Sequence, residues 1–186
     1  MPGSPGSPGS PGPAGYVGEL RRQRKLLELQ LQGQGSPGGR GSRAEEPGLS
    51  QLLADLRRQL LRPPAASFAA ELVAAPLHAL GLLLDLLKLV QLCQANTGHV
   101  GPTQAVFKRA LGDEHELLGC VRELVNVEAG LQRLAHHPSG LFTVSVCVMS
   151  NFSKSRVLAL QVLTRVCSLP AGHRMVADAV SMLRLR

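Results

Sequence analysis

The chain has 186 residues, 44% of them apolar, enough for one helical domain but not for two sizeable ones. Aromatic residues make up 3%, with no Trp, so any core is built from Leu, Ala and Val, which favours an all-α fold over a β-sandwich. The net charge of +7 suits an acidic partner, a nucleic acid or an anionic membrane surface, but the arginines are dispersed and no aromatic rings interleave with them, so a base-stacking platform is not expected.

In chain order, residues 1–15 form a Gly-Ser-Pro repeat that lacks the regions of a secretory signal and is expected to be disordered. Residues 16–31 place Val17, Leu20, Leu27 and Leu31 at helical spacing, with a basic face opposite. A flexible Gly/Arg-rich insert follows at 33–48. Residues 49–61 read as a short amphipathic helix with Leu49, Leu52, Leu53, Leu56 and Leu60 on one side, stopped by Pro63-Pro64. These elements make residues 16–64 one segment.

Residues 65–186 are helical in pattern throughout. Helices are expected over 67–75 and 77–94, and the apolar run 80–93 is too short and too charged (Asp85, Lys88) to cross a bilayer. A loop over 96–102 extends through Lys108. Asp113 is then placed to cap a helix over 114–127. A short helix spans 130–136, and Pro138-Ser139-Gly140 breaks the pattern. Residues 141–149 (LFTVSVCVM) have strand-like propensity but helical neighbours, and read as a buried helix. Ser153 or Ser155 caps a helix over 156–168, and the last helix covers 173–185 after Pro170-Ala171-Gly172.

A repeat runs through this part. Cys120-Val121-Arg122-Glu123-Leu124-Val125 lies over Val162-Leu163-Thr164-Arg165-Val166-Cys167, and Gly130 over Gly172, both at an offset of 42 residues. Helix-turn-helix units with a period near 40–47 are the mark of armadillo or HEAT arrays. Each unit buries its face only against the next, so an array ending at Arg186 is expected to be marginally stable.

Nothing in the sequence assembles a catalytic centre. The four cysteines are widely spaced with no CxxC pair, which fits reduced buried thiols. His136 and His137 are adjacent, so on a helix they point about 100° apart and cannot share a metal ion. Asp113, Glu114 and Glu116 are explained by a helix N-terminus, which favours carboxylates. The Gly-rich stretch at 33–41 leads into no GK[ST], and no GxSxG occurs. The expectation is a protein-interaction module with no enzymatic activity, metal or cofactor.

Residues 114–180 resemble the GTPase-binding/formin homology 3 region of diaphanous-related formins, closest to the formin-like and Daam branches. Cys120, Val121, Arg122, Asn126 and Gly130 match its Cys-hydrophobic-basic helix followed by Asn and Gly. Ser153-Lys154-Ser155, the helix to Cys167 and Pro170-Ala171-Gly172-His173 match its next helix and turn. Upstream, Tyr16-Val17-Gly18-Glu19-Leu20, Ser67-Phe68-Ala69-Ala70-Glu71-Leu72 and the run from Leu80 to Leu87 resemble its earlier helices in order.

The resemblance implies an armadillo-like fold that binds the GTP form of a Rho-family small GTPase through Tyr16, Leu20, Leu61, Arg62 and Ala66. It also implies a groove, using Arg122, Asn126, Arg165, Ser168 and Leu169, for an autoinhibitory helix from the formin's C-terminal tail. GTPase loading would then relieve autoinhibition of actin filament assembly, so actin is reached only indirectly, in a cytoplasmic protein of the actin cytoskeleton. Two departures stand out. Arg62-Pro63-Pro64 replaces an Asn-containing stretch, and Arg165 replaces a small groove residue, so a bound tail needs an acidic partner for it. Two other readings stay open: an armadillo-type adaptor without GTPase binding, and a basic binder of nucleic acid or membrane surfaces.

Overall fold

The computed structural model describes residues 11–33, 48–96 and 104–185, and every regular element among them is helical. The α-helices are α1 (Pro13–Leu31), α2 (Leu49–Leu60), α3 (Ala65–Val73), α4 (Ala79–Asn96), α5 (Gln104–Leu124), α6 (Glu128–Ala135), α7 (Gly140–Val146), α8 (Ser153–Cys167) and α9 (Gly172–Ser181). Short 3-10 turns follow α7 and α9.

The leucines that marked α2 in the sequence are all buried in it, and α4 is buried on most sides through Leu80, Leu83, Leu84, Leu86, Leu87 and Val90. A helix apolar nearly all round belongs in the middle of a layer, and α4 packs against α1, α5, α6 and α7. Each fully buried Leu contributes roughly 1.5–3 kcal/mol, so this one core outweighs any local preference of the chain. That explains residues 141–149. Their β-branched side chains stay helical because Leu141, Val144 and Cys147 face the core, while Gln91 of α4 donates to the Thr143 carbonyl at 2.9 Å.

The observed helices correct several expected boundaries. α1 begins at Pro13, a residue suited to the first helical position because its missing N–H has no helical partner there. Residues 13–15 are thus helical; residues 1–10 of the expected disordered segment, and 34–47 of the expected insert, lie outside the described residues. α3 and α4 are each displaced by two residues, about half a turn, from the expected spans, on either side of His78, whose φ of 48° is left-handed.

Two expected caps are also corrected. Asp113 caps nothing, because α5 already starts at Gln104 and carries residues expected in a loop. Asp113 sits mid-helix and buried, accepting a hydrogen bond from Ser50 of α2. Neither Ser153 nor Ser155 caps α8: Phe152 holds that position without a side-chain bond, and Ser155 is buried. Ser150 organises the entry instead. Its hydroxyl donates to Glu114 at 2.5 Å and accepts the Phe152 N–H at 3.1 Å, and its carbonyl accepts from Arg156 at 2.8 Å.

The 42-residue repeat is structural. Gly130 N–H donates to the Val127 carbonyl and Gly172 N–H to that of Leu169, each at 2.9 Å, and Asn126 and Ser168 likewise bond Glu123 and Arg165, each at 3.2 Å. The helix-turn-helix units α5–α6 and α8–α9 therefore turn the chain in the same way, as an armadillo-like array requires.

Candidate partner-binding site

Three helices form a ladder, α2 against α5 and α5 against α8. Cys120 ties the first rung, its thiol donating to the Leu53 carbonyl at 3.5 Å. Burial pushes the Cys120 thiol far above its ordinary value, as it does for Cys147, so neither is a nucleophile.

Between α2 and α5, Arg57 reaches Glu116 at 3.4 Å. It crosses α5 over Gly119, where a Cβ would lie 2.8 Å from its Nε. Between α5 and α8, His115 meets Phe152 edge to face, with ring centroids 5.3 Å apart. Burial lowers the His115 pKa, which keeps the imidazole neutral near pH 7, and its buried Nδ1 has no hydrogen-bond partner. Arg57, Gly119 and His115 were not picked out by sequence reasoning, and Glu114 and Glu116, expected at a helix N-terminus, lie mid-helix because α5 starts at Gln104. Gly119 was the one available signal, a glycine inside a helical run that marks a close approach.

The five residues expected to line a tail groove fall at or just after the C-terminal turns of α5 and α8, where Asn126 and Ser168 occupy equivalent places of the two repeat units. Arg122 is ion-paired with Glu123, and Asn126 donates to the same carboxylate at 3.3 Å. Glu123 thus holds both, a partner the sequence did not single out. The Arg122 Nε remains buried without an acceptor. Arg165 is exposed and has no ion pair among the described residues. Ser168 donates to the Arg165 carbonyl at 2.7 Å, closing the helix end, and Leu169 packs half-buried against the core. The outer side of α8 also exposes Val157 and Leu160, at 53% and 51%, among Lys154, Arg156 and Arg165. The arrangement is basic and apolar together, suited to a ligand that is acidic and apolar.

The five residues expected to contact a GTPase separate into two groups. Leu61, Arg62 and Ala66 are exposed around the α2–α3 turn. Tyr16 and Leu20 are 1% and 0% exposed, so in this arrangement they are core. Tyr16 packs edge to face on Phe68 of α3, with centroids 6.2 Å apart, and docks α1 on the array.

The sequence profile of the Diaphanous GTPase-binding Domain matches residues 49–168, from the start of α2 to the end of α8. The chain belongs to this family. The match covers the whole α2–α5–α8 ladder and leaves α1 and α9 outside it. The chain is also 31% identical over 64 residues to Disheveled-associated activator of morphogenesis 2 of Homo sapiens, and 28% identical over 64 residues to its Gallus gallus counterpart. Each alignment covers 34% of this chain and 6% of the relative, so the chain spans only a small part of the relatives' length. The expected relationship to diaphanous-related formins and the all-α, armadillo-like fold both stand. No helix among the described residues is long and apolar enough to cross a membrane.

Proposed function

We propose that this Diaphanous GTPase-binding domain is a regulatory interaction module that binds the GTP form of a Rho-family small GTPase. The observation that carries the reading is the family match across the whole helical ladder. Leu61, Arg62 and Ala66 supply the contact surface, and Tyr16 and Leu20 act from beneath it by docking α1.

The same module holds an acidic, apolar helix from a formin C-terminal tail across α5 and α8. Arg165 and Arg122 meet its carboxylates, and Val157 and Leu160 its apolar side. GTPase and tail oppose one another through coupled sites, so the module governs actin filament assembly without touching actin, in the cytoplasm at the actin cytoskeleton.

The test is a pull-down of the full chain with Rho, Rac and Cdc42 proteins, each loaded with a GTP analogue or with GDP. Retention that requires the GTP analogue supports the reading. A helical, folded chain that retains none of them in a nucleotide-dependent way leaves a helical-repeat adaptor without GTPase binding.

A further inference from the structure

An open cleft of about 470 Å³ lies between α1 and the start of α4, and no residue of α2, α5 or α8 lines it. Arg21, Arg24, Lys25 and Glu28 border it from α1, and His78 and Asp85 from the opposite side. Its two carboxylates are already engaged: Arg24 binds Asp85 at 2.8 Å and Glu28 at 2.9 Å.

Arg21 and Lys25 are left with no ion pair among the described residues. They sit one turn apart on the same helix face, where like charges repel. A third cation stands behind His78. Arg133 Nη1 lies 2.6 Å from His78 Nδ1; a guanidinium can only donate, so the ring nitrogen accepts, and Arg133 has no carboxylate partner among the described residues. His78 holds this position in the left-handed region, φ 48°, an uncommon conformation for a residue with a side chain.

We propose that this cleft binds a phosphomonoester group, with Arg21 and Lys25 as its direct charge partners and Arg133 adding positive field through His78. Arg21, Arg24, Lys25 and Arg133 set four cations against the carboxylates of Glu28 and Asp85, a surplus of two that matches a doubly charged anion, whereas a single carboxylate would leave the cleft positive. The exposed stripe of α1 points to a lipid as the source. One turn on from Lys25 it carries Leu29, exposed at 37%, and further round the same exposed side Leu26, at 38%. Cations and apolar side chains together on the exposed side of one helix suit a bilayer surface, with the leucines at the boundary between headgroups and acyl chains.

The experiment uses the full chain and two probes: soluble inositol trisphosphate, followed by calorimetry, and phosphatidylcholine vesicles containing a phosphatidylinositol bisphosphate, followed by co-sedimentation. Both probes are expected to bind. Arg21→Gln with Lys25→Gln should weaken both, about fivefold per charge and roughly thirtyfold together. Lys108→Gln with Arg174→Gln, which removes the same charge from exposed sites on α5 and α9, should weaken binding by less than about threefold. Leu26→Ser with Leu29→Ser should weaken vesicle binding alone.

Equal loss from both pairs of charge substitutions means general surface attraction and overturns the cleft. So does failure of the folded chain to bind either probe, or tighter binding of an acidic peptide to the same residues. Binding of inositol trisphosphate without vesicle binding keeps the cleft and overturns the bilayer as its source. None of these readouts involves a GTPase, so they are independent of the proposed function.

Discussion

Gly130 and Gly172 occupy the same place in successive turns of the array, each pressed against a carbonyl in the last turn of the preceding helix. A Cβ at Gly130 would lie 2.0 Å from the Leu124 carbonyl oxygen, and one at Gly172 would lie 2.0 Å from that of Val166. The obstacle is backbone in both cases, so the turn itself has to open to admit a methyl group. Gly130→Ala is therefore expected to cost about 1–3 kcal/mol, the range for overpacking, measured as a lower urea midpoint at unchanged slope. Gly172→Ala should loosen α9 by a similar amount and register first as faster amide exchange in that helix. An unchanged midpoint and exchange pattern for both would mean that the two turns relax freely.

Gly119 provides the contrast. A Cβ there meets only Arg57, at 2.8 Å from Nε and 2.9 Å from Cζ, the mobile end of a flexible side chain. Gly119→Ala should gain helix propensity, lose the Arg57–Glu116 pair and change stability by no more than about 1 kcal/mol. A destabilisation as large as that of Gly130→Ala would show that Arg57 is locked in place.

The turns, the helical class and the leucine face of α2 were legible in the sequence because each depends on residues a few positions apart. The 42-residue offset even paired Gly130 with Gly172 correctly. What could not be read depends on partners far along the chain. Asp113 has the composition of a cap, and only the presence of Ser50 across the α2–α5 contact shows it as a buried mid-helix carboxylate. Tyr16 and Leu20 share the apolar spacing that puts Val17 in the core, a signal that outranks their resemblance to contact residues. Glu123 went unremarked because its role exists only once Arg122 and Asn126 fold back onto it.

Burial raises the pKa of Asp113, outweighing the hydrogen bond from Ser50 and the charge of Arg109, which both lower it. A carboxyl whose folded pKa lies above its unfolded value costs nothing while both states are protonated. As pH rises through the ordinary value of 3.8 the unfolded chain ionises first, and stability falls until the folded pKa is passed. Asp113→Asn keeps an acceptor for Ser50 and removes the ionisation. It is expected to raise the urea midpoint near neutral pH, and to leave it unchanged below 3.8. A variant less stable than the parent at neutral pH would show that the charged form is favoured after all.

On the α8 side of the ladder, exposed Arg165 has no intramolecular partner among the described residues, whereas Arg122 is held by Glu123. If an acidic helix docks there, Arg165→Glu should weaken it at least about tenfold, since a reversed charge adds repulsion to a lost attraction. Glu123→Gln should act in the opposite direction by releasing Arg122, and both effects should shrink as salt is raised. Fluorescence anisotropy of a labelled acidic, amphipathic peptide measures all three. Indifference of the peptide to Arg165→Glu would move the binding face off α8.

Burial also divides the residues expected at the GTPase contact, which gives two distinguishable substitutions. Tyr16 is 1% exposed and set edge to face on Phe68, so Tyr16→Ala leaves a cavity between α1 and α3 and should cost about 3–5 kcal/mol, comparable with other large aromatic deletions. Its effect on GTPase binding should follow from undocking α1, and should appear together with faster amide exchange in that helix. Leu61 is 55% exposed, so Leu61→Asp removes no core contact and should leave the thermal midpoint within a few degrees. If the contact lies on the α2–α3 turn, that same substitution should reduce retention of the GTP-loaded protein at least about tenfold, as expected for an apolar interface residue replaced by a charge. Full retention by Leu61→Asp, with loss only when Tyr16 is removed, would shift the contact from the turn to α1 itself.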